Sequence, residues 1–152
     1  MLREKLKILF LCTGNSCRSQ MAEGWAHHLK NDVIDAYSAG TEMHGMNDLA
    51  IRVMAEVGID ISGQHSKTLE ELSGSDFDFV VTVCDRAHES CPVFPGHTKV
   101  FHAGFDDPPR LAEEAGADSD EEALPHYRWV RDAIGEFVKQ LPECLESTFS
   151  HS

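Results

Sequence analysis

Four short apolar runs flanked by turn-forming residues indicate the β-strands of this chain. The first and third runs are almost continuously apolar, which is typical of strands that are covered on both faces. The four predicted strands are Lys7–Leu11, Val33–Ser38, Phe77–Val83 and Lys99–His102.

Helical periodicity occupies the intervals between these strands. The spacing of apolar residues predicts helices over Ser19–Lys30 and Asn47–Val57, and Gly58 provides a stop for the second. Pro125 predicts the beginning, or a kink, of a last helix. The apolar stripe of that helix comprises Val130, Ile134, Phe137, Val138 and Leu141.

Strands that alternate with helices predict an α/β fold, here a four-stranded parallel sheet flanked by helices. The segment Asp106–Glu122 has little periodicity and is rich in Asp, Glu, Pro, Ala and Gly, so we expect a long surface loop there, with Asp118–Glu122 as a solvated acidic run. No repeat or linker interrupts the chain, and residues 1–152 are expected to form a single domain.

The charge of the chain excludes several classes of partner. A net charge of -13 repels phosphate backbones, so nucleic acid is not an expected partner, and an oxyanion site would need its own local positive potential. No apolar run approaches the roughly 20 residues of a membrane span. The first twelve residues contain only a short apolar run, Ile8 to Leu11, with no small-residue cleavage site after it, so we expect a cytoplasmic protein.

The cysteines are the residues that indicate a catalytic or redox function. In a reducing compartment, cysteines are more often catalytic, redox-active or metal-binding than joined in structural disulfides, and no CxxC pair occurs here. The histidines form no recognisable ligand set, and neither a metal nor a cofactor is expected. The five cysteines are Cys12, Cys17, Cys84, Cys91 and Cys144.

The segment LCTGNSCRS lies between a predicted buried strand and a predicted helix, and it predicts an oxyanion-binding loop. Cys12 and Arg18 have the C-x5-R spacing, and Gly14 and Asn15 allow the loop between them to curl so that its N–H groups point inward. The positive end of the following helix adds to this potential. The predicted oxyanion-binding residues are Thr13, Gly14, Asn15, Ser16, Cys17 and Arg18.

Within such a loop, each polar side chain has an expected task. Arg18 offers a bidentate fork to two oxyanion oxygens. The positive surroundings favour the thiolate form of Cys12, and Ser19 can donate a hydrogen bond to its sulfur. The loop therefore predicts in-line attack by Cys12 on a tetrahedral oxyanion. The alternative, that Cys12 merely ends a core strand, does not account for the glycine, asparagine and arginine around it.

Through this loop, the chain resembles the low-molecular-weight protein tyrosine phosphatase fold family over nearly its whole length. The resemblance implies a general acid in a late Asp-Pro motif, which this chain has in Phe105-Asp106-Asp107-Pro108. Asp107 matches the acid that protonates the leaving oxygen. Without the cysteine loop, Asp107 would be interpreted as a turn residue before proline.

Two further cysteines distinguish this chain from a simple phosphatase. Cys84 ends the third predicted strand, so it should lie at the same edge of the sheet as Cys12, and Cys91 follows seven residues later. This pattern resembles the thioredoxin-coupled arsenate reductases, a branch of the same fold family. The resemblance implies that Cys12 attacks arsenate, Cys84 attacks the Cys12 sulfur as arsenite leaves, and Cys91 attacks Cys84.

The resemblance also implies the partners, arsenate as substrate and thioredoxin, or glutaredoxin in its place, as reductant. The alternative function is a protein tyrosine phosphatase, which the sequence Pro109-Arg110 after the Asp-Pro motif weakens, because tyrosines often stand there. A third hypothesis is a non-catalytic anion-binding or redox-sensing module. It predicts anion binding and disulfide formation without turnover. A separate alternative for Cys84 and Cys91 is that they are packing residues. We expect Cys17 to contribute mainly its N–H, and Cys144 to be inert.

Two finer expectations concern motion and a cation. If the segment 84–91 is helical when reduced, it must unwind before Cys84 and Cys91 can form a disulfide. Some members of the reductase family bind a potassium ion through four side chains, and Asn15, Glu23 and Ser38 match three of them. Lys67 lies where the fourth would fall, so we expect its ammonium group to reach toward Glu23 and Asn15 and to replace the ion. The alternative is that Lys67 is an ordinary exposed lysine.

Overall fold

A computed structural model describes residues 5–72, 76–84, 87, 94 and 96–149 of the chain. A short 3-10 helix, Leu69–Leu72, precedes the third strand. The other elements in chain order are β1 (Leu6–Cys12), α1 (Arg18–Leu29), β2 (Ile34–Gly40), α2 (Asp48–Glu56), β3 (Phe79–Thr82), β4 (Lys99–His102), α3 (Pro108–Glu114), α4 (Asp120–Lys139) and α5 (Glu143–Phe149).

The described strands form the predicted parallel sheet, in the order β2-β1-β3-β4. β1 is central, and its residues Ile8 to Leu11 are fully buried, as its continuous apolar run predicts. Cys12 is paired with Gly40 at the end of β2, and Leu11 with Thr82 at the end of β3. The carboxyl ends of three neighbouring strands therefore meet at one edge, where ligands bind in open parallel sheets.

Helix α4 holds the helical part of the fold together, since α1, α2 and α3 all pack against it. The indole N–H of Trp25 on α1 donates to the Arg131 carbonyl of α4 at 3.0 Å. Gly135 allows this close approach, because a Cβ atom there would lie 2.8 Å from the Trp25 ring. In the described part of the chain, no helix is long and apolar enough to cross a membrane.

The prediction of a long surface loop over Asp106–Glu122 is wrong, because the segment contains α3 and the start of α4. Pro108 and Pro109 occupy the first two positions of α3, where their fixed φ angles favour helix and their missing N–H groups cost nothing. Gly116, with a φ of 76°, follows the end of α3. The acidic run Asp118–Glu122 is exposed, as predicted.

The last long helix begins before Pro125. Ser119 caps α4 by accepting a hydrogen bond from the Glu122 N–H at 3.2 Å, and Asp120, Glu121 and Glu122 place negative charge at its positive end. Pro125 lies inside the helix, and the prediction that it marks the beginning is wrong.

Candidate active site

The oxyanion loop lies between the end of β1 and the start of α1, as predicted. Asn15 has a φ of 48°, the left-handed conformation that asparagine tolerates better than most residues, and this turns the chain sharply. The adjacent Gly14 has no room for a side chain, because a Cβ atom there would lie 2.3 Å from the His44 ring nitrogen Nδ1. The local sequence Gly14-Asn15 therefore permits both the turn and the close packing of His44.

The backbone of the loop is held by the segment that follows β2. In the described part of the chain, the N–H groups of residues 14–17 donate to no other group, the arrangement expected of an anion nest. The loop carbonyls, by contrast, are used as acceptors. Thr41, Glu42, His44 and Asn47 donate their N–H groups to the carbonyls of Cys12, Thr13, Gly14 and Ser16, at 3.2, 2.8, 3.0 and 3.1 Å respectively.

A chain of buried side chains ends at the Cys12 sulfur. The amide Nδ2 of Asn15 donates to the Ser19 hydroxyl oxygen at 2.8 Å, and the Ser19 oxygen lies 2.9 Å from the Cys12 sulfur. Because Ser19 accepts from Asn15, its proton is free to be donated to Cys12. The predicted contact between Ser19 and the sulfur is therefore present in the structure.

Arg18 and Asp107 face each other across the pocket. Nη1 of Arg18 donates to the Phe105 carbonyl at 2.9 Å, which holds the guanidinium in place, and Nη2 lies 3.8 Å from the Asp107 carboxylate. Asp107 is the N-cap residue of α3, so Pro108 and the helix position its backbone. The structure thus brings the predicted anion fork and the predicted acid to one site.

The Cys84 thiol lies beside the loop. It is buried, its sulfur lies 3.4 Å from the Thr13 hydroxyl, and the Ala87 N–H donates to it at 3.4 Å. Cys12, Arg18, Cys84 and Asp107 all line the same open pocket. Cys91, like most of the segment between Cys84 and β4, lies outside the described residues, so its role stays a prediction.

Two other cysteines differ from these in their surroundings. Burial, followed by the negative charges of Asp107 and Cys12, raises the pKa of the Cys17 thiol far above its usual range, although Arg18 acts in the opposite direction. Cys17 is therefore a neutral thiol at the start of α1, and its N–H donates to no other group in the described part of the chain. Burial also raises the pKa of Cys144, which lies on α5 away from the pocket.

Sequence reasoning missed His44 and Asn47, which contribute to this site from the segment after β2. His44 lines the pocket, and its Nε2 lies 2.6 Å from the Glu42 carboxylate. Only the topology could have predicted their position. Residues that directly follow a parallel strand lie at the carboxyl edge of the sheet, where Cys12 also lies.

The predicted cation substitute lies beneath the loop. Lys67 is buried, and its Nζ lies 3.7 Å from the Glu23 carboxylate and donates to the His65 carbonyl at 3.2 Å. The Ser38 hydroxyl donates to the same Glu23 oxygen. The predicted reach of Lys67 toward Glu23 is confirmed, whereas its contact with the Asn15 side chain is made by its backbone N–H, at 2.8 Å.

Comparison with known proteins agrees with this geometry. A sequence model of the low molecular weight phosphotyrosine protein phosphatases matches residues 7–150. The chain belongs to this family. Within the phosphatase family, its similar relatives include an arsenate reductase of Bacillus subtilis, 48% identical over 136 residues that cover 90% of this chain and 94% of the relative.

Solved structures of both kinds of enzyme share the family fold. An arsenate reductase in its reduced state is 35% identical, with a TM-score of 0.67 and coverage of 92% of this chain and 98% of that one. A low molecular weight protein tyrosine phosphatase from T. tengcongensis is 26% identical, with a TM-score of 0.66 and coverage of 91% and 99%.

Proposed function

We propose that this member of the family reduces arsenate to arsenite. The observation that carries the proposal is the position of the Cys84 thiol, which is buried at the oxyanion pocket and 3.4 Å from Thr13, the residue next to Cys12. Hydrolysis of a phosphate ester uses one nucleophile, an anion site and an acid. Reduction of arsenic(V) also needs a second thiol within reach of the first, and this pocket has one.

The first step of the proposed reaction is capture of the oxyanion. Arsenate binds to the loop N–H groups and the Arg18 fork, and the Cys12 thiolate attacks arsenic to form a sulfur–arsenic bond. An oxygen leaves as water, and Asp107 supplies its proton. The Ser19 hydroxyl, 2.9 Å from the sulfur, stabilises the thiolate before the attack.

The second step transfers two electrons to arsenic. The Cys84 thiolate attacks the Cys12 sulfur, a Cys12–Cys84 disulfide forms, and the electron pair of the sulfur–arsenic bond passes to arsenic. Arsenic(V) thereby becomes arsenic(III), arsenite leaves, and two thiols are oxidised to one disulfide. The balance needs no further oxidant or reductant up to this point.

Regeneration requires a third thiol and an external dithiol. Cys91 attacks Cys84, which releases the Cys12 thiolate and leaves a Cys84–Cys91 disulfide. A thioredoxin-type dithiol, or glutaredoxin in its place, then reduces this disulfide and returns both thiols. Two arguments assign this role to Cys91. It lies seven residues after Cys84 in the sequence, and the chain resembles the thioredoxin-coupled reductases.

A second candidate function is hydrolysis of phosphate monoesters. Cys12, Arg18 and Asp107 form a complete set for that reaction without Cys84. The rim of the pocket carries Pro109 and Arg110, and Arg110 pairs with Glu114 at 3.0 Å. Neither of the residues directly after the Asp-Pro motif is aromatic, so neither can hold a phenyl ring, and we expect this activity to be weak.

The test compares both activities in the same variants. Purified protein is assayed for multiple-turnover arsenate reduction with thioredoxin, thioredoxin reductase and NADPH, and for hydrolysis of p-nitrophenyl phosphate. Cys84→Ser or Cys91→Ser should lower arsenate turnover at least about 100-fold and spare hydrolysis, whereas Cys12→Ser or Arg18→Ala should abolish both. Cys144→Ser is the matched control and should change neither.

Two outcomes would overturn the proposal. If Cys84→Ser cycled with thioredoxin at the normal rate, the thiol relay would be wrong. If the unmodified protein bound arsenate and formed disulfides without turnover, it would be an anion-binding or redox-sensing module instead.

A further inference from the structure

Asn47 contacts three separate parts of the site. Its backbone N–H donates to the Ser16 carbonyl of the oxyanion loop at 3.1 Å. Its side-chain oxygen caps α2 by accepting from the N–H groups of Leu49 at 2.9 Å and Ala50 at 3.1 Å. Its amide Nδ2 donates to the hydroxyl of Tyr127 on α4 at 3.1 Å. The side-chain oxygen is thus used by the cap, and the Nδ2 group is the part of the side chain that contacts α4.

Tyr127 is the rigid end of this contact. Its side chain is buried on α4, the helix against which α1, α2 and α3 all pack. Burial raises the pKa of Tyr127, although the hydrogen bond from Asn47 acts in the opposite direction, so the hydroxyl is neutral. Among the described residues, Asn47 is its one hydrogen-bond partner.

The contact affects the loop through the peptide unit between Ser16 and Cys17. The carbonyl of Ser16 and the N–H of Cys17 belong to one planar trans peptide, so they point in opposite directions. Asn47 holds the Ser16 carbonyl toward the segment after β2, so the N–H of Cys17 points away from that segment, and Cys17 itself lines the pocket. This N–H stands next to Arg18, at the positive end of α1.

We propose that Tyr127 is a positioning residue for oxyanion binding, which acts through Asn47 on the Ser16–Cys17 peptide. The hydroxyl fixes the Asn47 side chain, Asn47 fixes the Ser16 carbonyl, and the Cys17 N–H is thereby aimed at the anion. The inference rests on the oxyanion site of the proposed function, but it does not depend on the thiol relay.

Tyr127→Phe tests this role, because it removes the hydroxyl and keeps the ring. We expect the Kd for inorganic phosphate, measured by calorimetry, to rise by about 3- to 10-fold, the effect of losing one hydrogen bond. The KM for arsenate should rise by a similar factor with kcat nearly unchanged, since the loop N–H groups hold the anion before and during reaction. Tyr37→Phe removes a hydroxyl that contacts Asp35, away from the pocket, and should leave both constants unchanged.

Asn47→Ser provides the second variant. Serine keeps an oxygen for the helix cap and a backbone N–H for Ser16, but it loses the Nδ2 group that contacts Tyr127. The loss of phosphate affinity should match that of Tyr127→Phe, and the double variant should be no worse than either, because both changes break the same contact. If one of the single variants folds poorly, the other still tests the contact by itself.

Unchanged phosphate affinity in both variants would overturn the proposal. If Tyr127→Phe and Asn47→Ser both bound phosphate with the Kd of the unmodified protein and lost only thermal stability, Tyr127 would be a packing residue. Failure of the unmodified protein to reduce arsenate would count against the proposed function alone, because phosphate binding is measured without turnover.

Discussion

The hydroxyl of Thr13 lies 3.4 Å from the sulfur of Cys84, and this contact joins the oxyanion loop to the end of β3. Thr13 directly follows Cys12, and all three residues line the same pocket. A hydroxyl at this distance can donate to the Cys84 sulfur and favour its thiolate form. Thr13 is therefore suited to prepare the second thiol for attack.

Thr13→Val should slow the second step and spare the first. Valine keeps the shape of threonine but loses the hydroxyl, so the rate of Cys12–Cys84 disulfide formation should fall about tenfold, the effect of roughly 1.4 kcal/mol. Single-turnover quenching with mass spectrometry measures this rate. The Kd for phosphate should stay the same, and Thr148→Val, on the distant α5, is the control. A normal rate of disulfide formation would exclude this role for Thr13.

Gly40→Ala should disrupt the packing of the end of β2 against the oxyanion loop. A Cβ atom at Gly40 would lie 2.4 Å from the Glu42 carbonyl and 2.6 Å from the Thr13 carbonyl, both backbone atoms that cannot move aside independently. We expect a loss of about 1–3 kcal/mol in the free energy of unfolding. Phosphate affinity should fall with it.

The control for this substitution is Gly63→Ala, since nothing lies within 4 Å of a Cβ atom at Gly63. Urea unfolding and calorimetry of both variants measure the two effects. If Gly40→Ala behaved like Gly63→Ala, the close packing beneath the loop would be wrong.

Lys67 should make the protein independent of potassium. Its ammonium group lies 3.7 Å from Glu23, and both side chains are nearly buried, so Lys67 supplies the cation that neutralises Glu23 beneath the loop. Turnover and melting temperature should be the same in sodium and potassium buffers of matched ionic strength. Lys67→Asp should create potassium dependence, because it places two carboxylates together that need a cation. Marked stimulation of the unmodified protein by potassium would contradict this role.

Glu56 should contribute to stability only above acidic pH. The Arg128 hydrogen bonds, with a further contact from Arg131, hold the pKa of Glu56 at about 2, below its ordinary 4.5. Because the folded-state pKa is lowered, the stabilisation is fully present above pH 4.5 and is lost as the pH falls toward 2.

Glu56→Gln should therefore lower the free energy of unfolding at neutral pH by on the order of 1 kcal/mol, since the contact is partly exposed. The difference from the unmodified protein should shrink between pH 4.5 and 2. Urea unfolding at several pH values measures it, with Glu136→Gln, which removes an exposed pair with Lys139, as the control. A difference that is independent of pH would refute the ionic origin of the effect.

Local patterns predicted the elements whose signals lie within a few residues. Buried strands appear as continuous apolar runs, so the four-stranded parallel sheet was predictable, and Lys99–His102 agrees with β4 at both ends. Helix α3 was missed because it has only seven residues and few apolar ones. Its buried face consists of Pro108 and Ala112. These residues are buried only because α4 packs against α3, which the local sequence does not reveal.

By itself, the sequence determined the oxyanion loop, because Cys12, Asn15, Arg18 and Ser19 lie within eight residues between a strand and a helix, where spacing dictates geometry. The assignment of the acid came from the resemblance to the phosphatase family. Only the tertiary structure decided which distant groups complete the site. Asn47 and Tyr127 are 80 residues apart, and Thr13 and Cys84 are 71 apart. Such pairs meet because parallel strands bring their carboxyl ends to one edge and because α4 packs across the helices there, and neither distance is encoded in local spacing.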